Sequence, residues 1–146
     1  MEKCRVCGGH GARTGLLFKC NFSNCGAVHW DKPAVKNLLK QSGELKQIIL
    51  DEAGVPTPLR SEISHYVYVL RLKGEVNAVY VGMTGLHPYS RYLNHITGHK
   101  SSRHTKKRAT ALISFEGPMS REEATKREPE LADELRENGQ VVYGGH

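Results

Sequence analysis

The sequence has no acidic residue over a long central stretch. None of residues 76 to 115 is Asp or Glu, although the chain of 146 residues contains 15 acidic side chains and 21 Lys and Arg. Six of those basic residues lie in the stretch, so the rest of the chain is balanced, with 15 basic against 15 acidic residues. The net charge of +6 therefore belongs to one segment, which favours a partner with repeated phosphates over a merely solvated basic face.

Long apolar runs are missing as well. The longest covers about five residues, Tyr66 to Leu70, whereas a membrane-spanning helix needs about 20. Residues 1–4, Met-Glu-Lys-Cys, offer no apolar core for a secretory signal. These two absences predict an intracellular, cytoplasmic protein that does not enter a membrane. An apolar content of 38% is low for one large core, and it indicates a thin sheet with a few helices plus a part held together in another way.

The cysteines indicate what holds that part together. All four lie in the first 25 residues, as the close pairs Cys4-x2-Cys7 and Cys20-x4-Cys25. Two such pairs can present four thiolates to one tetrahedral ion. A segment of about 30 residues with so little apolar bulk could hardly fold without a bound metal. The spacing predicts a structural zinc site, and the alternatives are two disulfides, which an intracellular setting disfavours, or four free thiols.

The residues between and around the two pairs agree with a zinc-finger-like module. Four glycines between residues 8 and 15 allow tight turns, and residues 16–18, Leu-Leu-Phe, predict one short strand. His10 and His29 could each replace a cysteine ligand. Since four cysteines already fill four positions, an open catalytic zinc site is not expected.

Residues 30–60 predict a helical connector. Pro33 suits the first turn of a first helix, Ser42 can cap a second, and Gly54 can end it. The Pro-Thr-Pro sequence at 56–58 marks a boundary. The second helix carries an apolar stripe that we expect to pack against the next domain or against a partner. Its residues are Leu45, Ile48, Ile49 and Ala53. The predicted parts are a zinc module at 1–30, the connector at 31–62 and a third domain at 63–146.

The third domain begins with a predicted hairpin. Residues 66–72 are rich in aromatic and β-branched types, and residues 78–82 predict the antiparallel return strand. Alternation along the first strand places Tyr66, Tyr68 and Leu70 on one face.

Two helices and a third strand follow the hairpin. Pro88 predicts the start of a helix that runs to about Thr97, and residues 109–115 predict the strand. Ser120 and Glu123 form a capping box at the start of the last helix, and Gly139 can end it. The apolar residues expected to face the sheet from that helix are Ala124, Leu131, Ala132 and Leu135.

In these elements the chain resembles the GIY-YIG nuclease superfamily over about residues 64–143. Tyr66-Val67-Tyr68 and Tyr80-Val81-Gly82 are similar to the two signature elements of that family, with Arg91 at the expected distance and His95 one turn later. The resemblance implies an α+β fold with a small mixed or antiparallel sheet of about three strands flanked by helices.

The resemblance also implies a metal-dependent endonuclease that hydrolyses phosphodiester bonds in DNA. Tyr68 would take a proton from the attacking water, and Tyr80 would help to place the water or the phosphate. Arg91 would bind the scissile phosphate through its planar fork. His95 would contact the phosphate or assist proton transfer.

The same resemblance implies a carboxylate on the last helix that binds one Mg²⁺ or Mn²⁺. Glu128 matches best, since Ala124 lies one turn before it and Leu131 three residues after it. Because Pro129 lacks an N–H, we expect the helix to kink there or to begin later. The other candidates on that helix are Glu122, Glu123, Glu130 and Glu134.

The stretch from His99 to Arg108 has the composition of a loop that contacts phosphates, and it has no aromatic residue to stack a base. Its expected nucleic-acid-binding residues are Lys100, Arg103, Lys106, Lys107 and Arg108. DNA, whether branched or site-specific, is the expected partner, and the zinc module could read it or only stabilise the fold. The alternative function is a catalytically inactive nucleic-acid-binding protein with the same fold and zinc module.

Overall fold

The computed structural model describes residue 4 and residues 7–14, 16–21, 25–41, 45–55, 64–97 and 109–145. None of the helices in these ranges is long and apolar enough to cross a membrane. The elements of the described residues are β1 (Gly11–Thr14), β2 (Leu17–Cys20), β3 (Val28–Trp30), α1 (Lys32–Gln41), α2 (Leu45–Glu52), β4 (His65–Leu72), β5 (Ala78–Thr84), α3 (Pro88–Thr97), β6 (Ala109–Met119), α4 (Arg121–Glu137) and β7 (Val141–Gly144).

One sheet joins all of these strands in the order β1-β2-β3-β6-β4-β5-β7. The neighbours are antiparallel except for β5 and β7, which are parallel. The predicted α+β class is confirmed, but the expected sheet of about three strands is wrong, because the described part of the chain forms a sheet of 7 strands. The cysteine segment adds three strands, where only one was predicted, and the C-terminal tail adds β7.

The cysteine segment joins the rest of the sheet through β3. Val28 of β3 pairs with Leu112 of β6, and Trp30 at the end of β3 is buried against Tyr92 of α3. The described strands of the cysteine segment, β1 to β3, are therefore continuous with the sheet of the third domain. The division into three parts stays a prediction.

The alternation predicted for the first hairpin strand is present in β4. Tyr68 and Leu70 lie in one buried cluster with Leu93 of α3, whereas Val67 and Val69 lie in another with Ala124 and Ala132 of α4. Period-2 geometry thus places α3 on one face of the sheet and α4 on the other. The tyrosines of the hairpin face α3.

The connector forms the two expected helices, with one difference. Asp31 precedes α1, and its Oδ1 accepts a hydrogen bond of 3.2 Å from the Ala34 N–H, which caps the helix. On α2, Ile49 is buried but Ile48 is 53% exposed, so Ile48 is not part of the core of this chain. Ser42 and the Pro-Thr-Pro boundary lie outside the described residues.

The last helix has the predicted start. The Ser120 hydroxyl oxygen accepts a hydrogen bond of 3.1 Å from the Glu123 N–H, as a capping box requires. The helix begins at Arg121 and includes Pro129, so the expectation that it begins after the proline was wrong. The missing N–H of Pro129 removes one bond to the Thr125 carbonyl, and the two flanking turns hold the helix together across that gap.

Candidate active site

Tyr68 and His95 form a hydrogen-bonded pair inside the protein. The Tyr68 hydroxyl lies 2.7 Å from His95 Nε2, and the two residues are 1% and 0% exposed. Tyr68 comes from the face of β4 toward α3, and His95 comes from the last turn of α3. The spacing of aromatic residues in the strand and the apolar stripe of the helix therefore bring the pair together.

Tyr80 and Arg91 border this pair. The Tyr80 ring centroid is 6.3 Å from that of Tyr68 and 5.7 Å from that of His95. Arg91 lies one turn before His95 on α3, and its positive charge acts on the pKa of Tyr68 and of Tyr80. Both Tyr80 and Arg91 are half-buried, so this side of the group is open to a ligand.

Gly82 is needed where it stands. It lies directly opposite Tyr68 in the register of β4 and β5. A Cβ at residue 82 would come 2.6 Å from the Tyr68 hydroxyl and 3.0 Å from Tyr80 Cε1. The glycine of the Tyr-Val-Gly element thus leaves room for the two tyrosines to converge.

Glu128 approaches the same group from the other side of the hairpin. It is 7% exposed, and the other four candidate glutamates of α4 are exposed. Its negative charge raises the pKa of both Tyr68 and Tyr80. The arrangement therefore has a buried carboxylate near two phenol groups and a guanidinium.

The environment opposes ionisation of Tyr68. Burial raises the pKa of Tyr68, the neighbouring Tyr80 and Glu128 raise it further, and Arg91 lowers it in part. Burial likewise raises the pKa of Tyr80, again with Arg91 in opposition. Both phenols are neutral at neutral pH, so Tyr68 can accept a proton only if its own proton has a place to go.

His95 offers such a place. Burial, together with the charge of Arg91, lowers the pKa of His95 to about 3. The imidazole is therefore neutral at neutral pH and can accept a proton at one ring nitrogen. The 2.7 Å bond joins that nitrogen to the Tyr68 hydroxyl.

The C-terminal tail contributes a neighbour that the sequence did not predict. In the parallel register of β5 and β7, Tyr143 lies beside Tyr80, and its hydroxyl donates a 2.6 Å hydrogen bond to Glu75 Oε1. The available signal was the run Val141-Val142-Tyr143, which has strand propensity but is only three residues long. Gly144 and Gly145 follow Tyr143, and since glycine is uncommon in strands, the sequence around Tyr143 does not predict one.

The second chemical site is the cysteine cluster. The Sγ atoms of all four cysteines lie within 4.8 Å of one another, so they could hold a metal ion. The Sγ atoms of Cys4 and Cys25 are 3.7 Å apart, and those of Cys7 and Cys20 are 3.5 Å apart. Four thiolates at about 2.3 Å from one tetrahedral zinc would be about 3.8 Å apart, so the observed spacing fits zinc. A disulfide would need about 2.05 Å.

The chemistry of the cluster also fits a cation. Burial raises the pKa of the Cys25 thiol to about 12, so a positive ion would be needed to hold it as a thiolate. The Gly9 N–H donates a hydrogen bond of 3.4 Å to Cys7 Sγ, which stabilises negative charge on that sulfur. His10 is exposed, and His29 stacks on Phe18 with ring centroids 4.5 Å apart, so neither belongs to the cluster.

The five basic residues expected to bind nucleic acid lie outside the described residues. They are Lys100, Arg103, Lys106, Lys107 and Arg108. The proposed phosphate contacts of that stretch rest on the sequence alone.

Comparison with known protein families gives one result. The family model described as GIY-YIG catalytic domain matches residues 64–140. This range contains the hairpin, α3, β6 and α4, and hence the whole tyrosine, arginine, histidine and glutamate group. No curated protein and no solved structure matches the chain.

Proposed function

The chain belongs to the GIY-YIG family of nuclease domains, and from this premise we propose that it is a metal-dependent endonuclease that hydrolyses phosphodiester bonds in DNA. The observation that carries the proposal is the convergence of four different elements on one buried group. The contributing residues are Tyr68 from β4, Tyr80 from β5, Arg91 and His95 from α3, and Glu128 from α4.

In this proposal Arg91 binds the scissile phosphate. Its guanidinium is a planar set of donors that matches phosphate oxygens, and it offsets the charge that grows in the transition state. Half-burial keeps part of the side chain available to substrate and shields the rest from water. Tyr80, at the open side of the group, would orient the water or a phosphate oxygen.

Tyr68 would accept the proton of the attacking water. Since burial keeps its phenol protonated, Tyr68 would release its own proton to His95 Nε2, which lies 2.7 Å away, as it accepts one from water. Burial is the main cause of the low pKa of His95, and the Arg91 charge adds to it. A phosphate beside Arg91 would offset that second contribution, so substrate binding would make the imidazole a better acceptor than it is in the free protein.

Glu128 would hold Mg²⁺ or Mn²⁺. Apart from the cysteine cluster, the described residues contain no group of three or more side chains that could ligate a metal. This suits Mg²⁺, which keeps most of its waters and can be held by one carboxylate. When bound, the ion would supply Lewis-acid stabilisation of phosphate charge. Burial of the carboxylate near Tyr68 and Arg91 supports the choice of Glu128.

We also propose that the four cysteines bind one structural zinc. The closed set of four thiols leaves no position for a substrate, so its role would be to fold residues 4–30 and to position β3 against β6.

Cleavage of supercoiled plasmid in Mg²⁺ or Mn²⁺ tests the proposal. The wild type should cleave, and Tyr68→Phe and Glu128→Gln should lose activity by at least about 100-fold, the usual scale for proton-transfer groups. Glu122→Gln, which changes an exposed carboxylate on the same helix, should cleave like the wild type. Equal activity in all four proteins would refute the site assignment.

One observation favours the alternative, a DNA-binding protein without turnover. Burial raises the pKa of Tyr68, which makes this tyrosine a poor base before substrate binds. Specific DNA binding by a wild-type protein that cleaves nothing with either metal would support that alternative.

A further inference from the structure

A second group of aromatic rings lies beside the candidate active site. Tyr66 of β4, His87 and Tyr89 at the start of α3, and Phe115 of β6 contact one another edge to face. The ring centroids are 5.5 Å apart for Tyr66 and His87, 5.0 Å for His87 and Tyr89, and 5.6 Å for His87 and Phe115. We call these four residues the aromatic platform.

The platform lies on the same face of the sheet as the catalytic group. Tyr66 is two residues before Tyr68 on β4, so their side chains point the same way. Phe115 is the register partner of Tyr68 across β4 and β6. A chain of nucleotides with one phosphate at Arg91 would therefore have a neighbouring nucleotide within reach of these rings.

The rings are accessible. Phe115 is 40% exposed, and Tyr66, His87 and Tyr89 each keep a smaller part of their surface exposed. Next to them is a cavity of about 270 Å³ whose wall includes Tyr89, Phe115 and Lys19. The cavity lies where β3 leaves β6, between the cysteine segment and the third domain. It is close to the lower size limit of about 300 Å³ for small-ligand sites, so it suits one planar group.

The charge around the platform favours an anionic partner. Three of its four residues belong to the stretch 76–115, which has no carboxylate, and Lys19 adds a positive charge at the cavity. The nearest acid in sequence, Glu116, is bound to Arg127 of α4 at 2.8 Å, on the opposite face of the sheet. A protein partner would find an apolar surface here, but a nucleotide would match both the rings and the charge.

We propose that the aromatic platform stacks an unpaired base of the DNA substrate, next to the phosphate that Arg91 would bind. Base stacking on aromatic side chains tolerates any sequence and needs the base to be unstacked from its neighbours. The substrate class is therefore DNA with a single-stranded flap, gap or end near the cleavage position. The position relative to the scissile bond rests on the proposed nuclease function, whereas the stacking itself does not.

Fluorescence of 2-aminopurine tests the stacking directly. The probe is a duplex with a short unpaired flap that contains 2-aminopurine, mixed with the full chain without added Mg²⁺ or Mn²⁺, so that nothing is cut. Stacking on the rings should quench the probe, and Phe115→Leu should weaken its binding about tenfold, within the range for one lost base contact. Phe115→Tyr keeps an aromatic ring and should retain the quenching.

The matched control is Val141→Ala, since Val141 is 39% exposed on β7, away from the platform. It should bind and quench like the wild type. Unchanged binding and quenching in Phe115→Leu, with the same melting temperature as the wild type, would overturn the proposal. Equal affinity for the flap and for the intact duplex would overturn it as well.

Plasmid cleavage separates this proposal from the nuclease proposal. If the quenching depends on Phe115 but the protein cleaves no DNA, the nuclease proposal is refuted and the stacking proposal is supported. If cleavage depends on Tyr68 but the quenching does not depend on Phe115, the stacking proposal is refuted and the nuclease proposal is supported.

Discussion

Gly82 and Tyr68 face each other across the β4–β5 hairpin, and the absence of a side chain at residue 82 makes room for the Tyr68 hydroxyl. Because a Cβ there would come 2.6 Å from that oxygen, Gly82→Ala should displace Tyr68 and destabilise the fold by about 1–3 kcal/mol, the range for overpacked cores. Urea unfolding measures the loss. Gly85→Ala is the control, since its Cβ would meet His65 Nε2 at an ordinary 3.5 Å. A Gly82→Ala protein as stable and as active as the wild type would contradict this packing argument.

Tyr68→Phe should cost stability as well as activity. The substitution removes a buried hydroxyl that lies 2.7 Å from the buried His95 Nε2, and losing one partner of a buried pair costs about 1–3 kcal/mol. Tyr143→Phe is a matched control, since it removes a hydroxyl bonded to the exposed residue Glu75, and it should cost less. If Tyr68→Phe and Tyr143→Phe lose the same unfolding free energy in urea, burial adds nothing to the stability that the Tyr68–His95 hydrogen bond provides.

The protein should become less stable as the pH is lowered, because His95 takes up a proton more readily in the unfolded chain. Its pKa is about 3 in the folded chain and about 6.5 when unfolded, so the unfolded state binds more protons between these values. The contribution is complete above about pH 6.5 and is lost as the pH falls toward 3, by at most about 1.4 kcal/mol per pH unit. The His95→Gln protein has no titrating group at this position. The difference in unfolding free energy between wild type and His95→Gln should shrink from pH 6.5 to pH 5.

The comparison between the two proteins isolates His95. The cysteine cluster also gains protons in acid, but it does so in both proteins and cancels in the difference. A difference that stays constant over this pH range would show that His95 keeps an ordinary pKa.

Metal analysis of purified protein should find about one zinc per chain. Removal of the zinc by a chelator, or Cys4→Ser, should lower the melting temperature of the whole protein, because β3 pairs with β6 of the third domain. His10→Ala should keep the zinc, since His10 is exposed and outside the cluster. A metal-free sample that melts at the wild-type temperature would rule out a structural zinc.

The basic stretch should dominate the salt dependence of DNA binding. Each phosphate contact contributes about 0.9 to the slope of log affinity against log salt for duplex DNA. Replacing Lys106, Lys107 and Arg108 with alanine should therefore reduce the slope by about 2 to 3. Arg121→Ala with Lys126→Ala changes exposed positive charges on α4 and should leave the slope nearly unchanged. If the wild type and both variants have equal slopes, Lys106, Lys107 and Arg108 do not contact DNA phosphates.

Local pattern accounts for most of the third domain. The predicted helix from Pro88 to Thr97 is present with those bounds, and the predicted strands at 66–72, 78–82 and 109–115 lie within β4, β5 and β6. Alternation put Tyr68 on one face of its strand, and the spacing of four residues put Arg91 and His95 on one face of α3. The packing of α3 on the sheet then brings the two faces together.

Long-range pairing accounts for what the sequence did not predict. The pairing of Val28 with Leu112 joins segments 84 residues apart, and no local pattern specifies it. The strand Gly11–Thr14 has no alternation of apolar and polar residues, and it pairs only because β2 runs beside it. The aromatic platform is hidden for the same reason, since the contact of Phe115 with Tyr66 depends on the register of β4 and β6.

The junction between β3 and β6 has a consequence for how much active protein a cell would hold. A zinc ion that binds the folded cysteine cluster more tightly than the unfolded chain would stabilise the folded state by mass action, in proportion to the logarithm of the free zinc concentration. Since the sheet is continuous from the cluster to the tyrosines, that stabilisation would reach the candidate active site. The fraction of chains competent for DNA would then follow the zinc supply, even though the zinc itself touches no substrate.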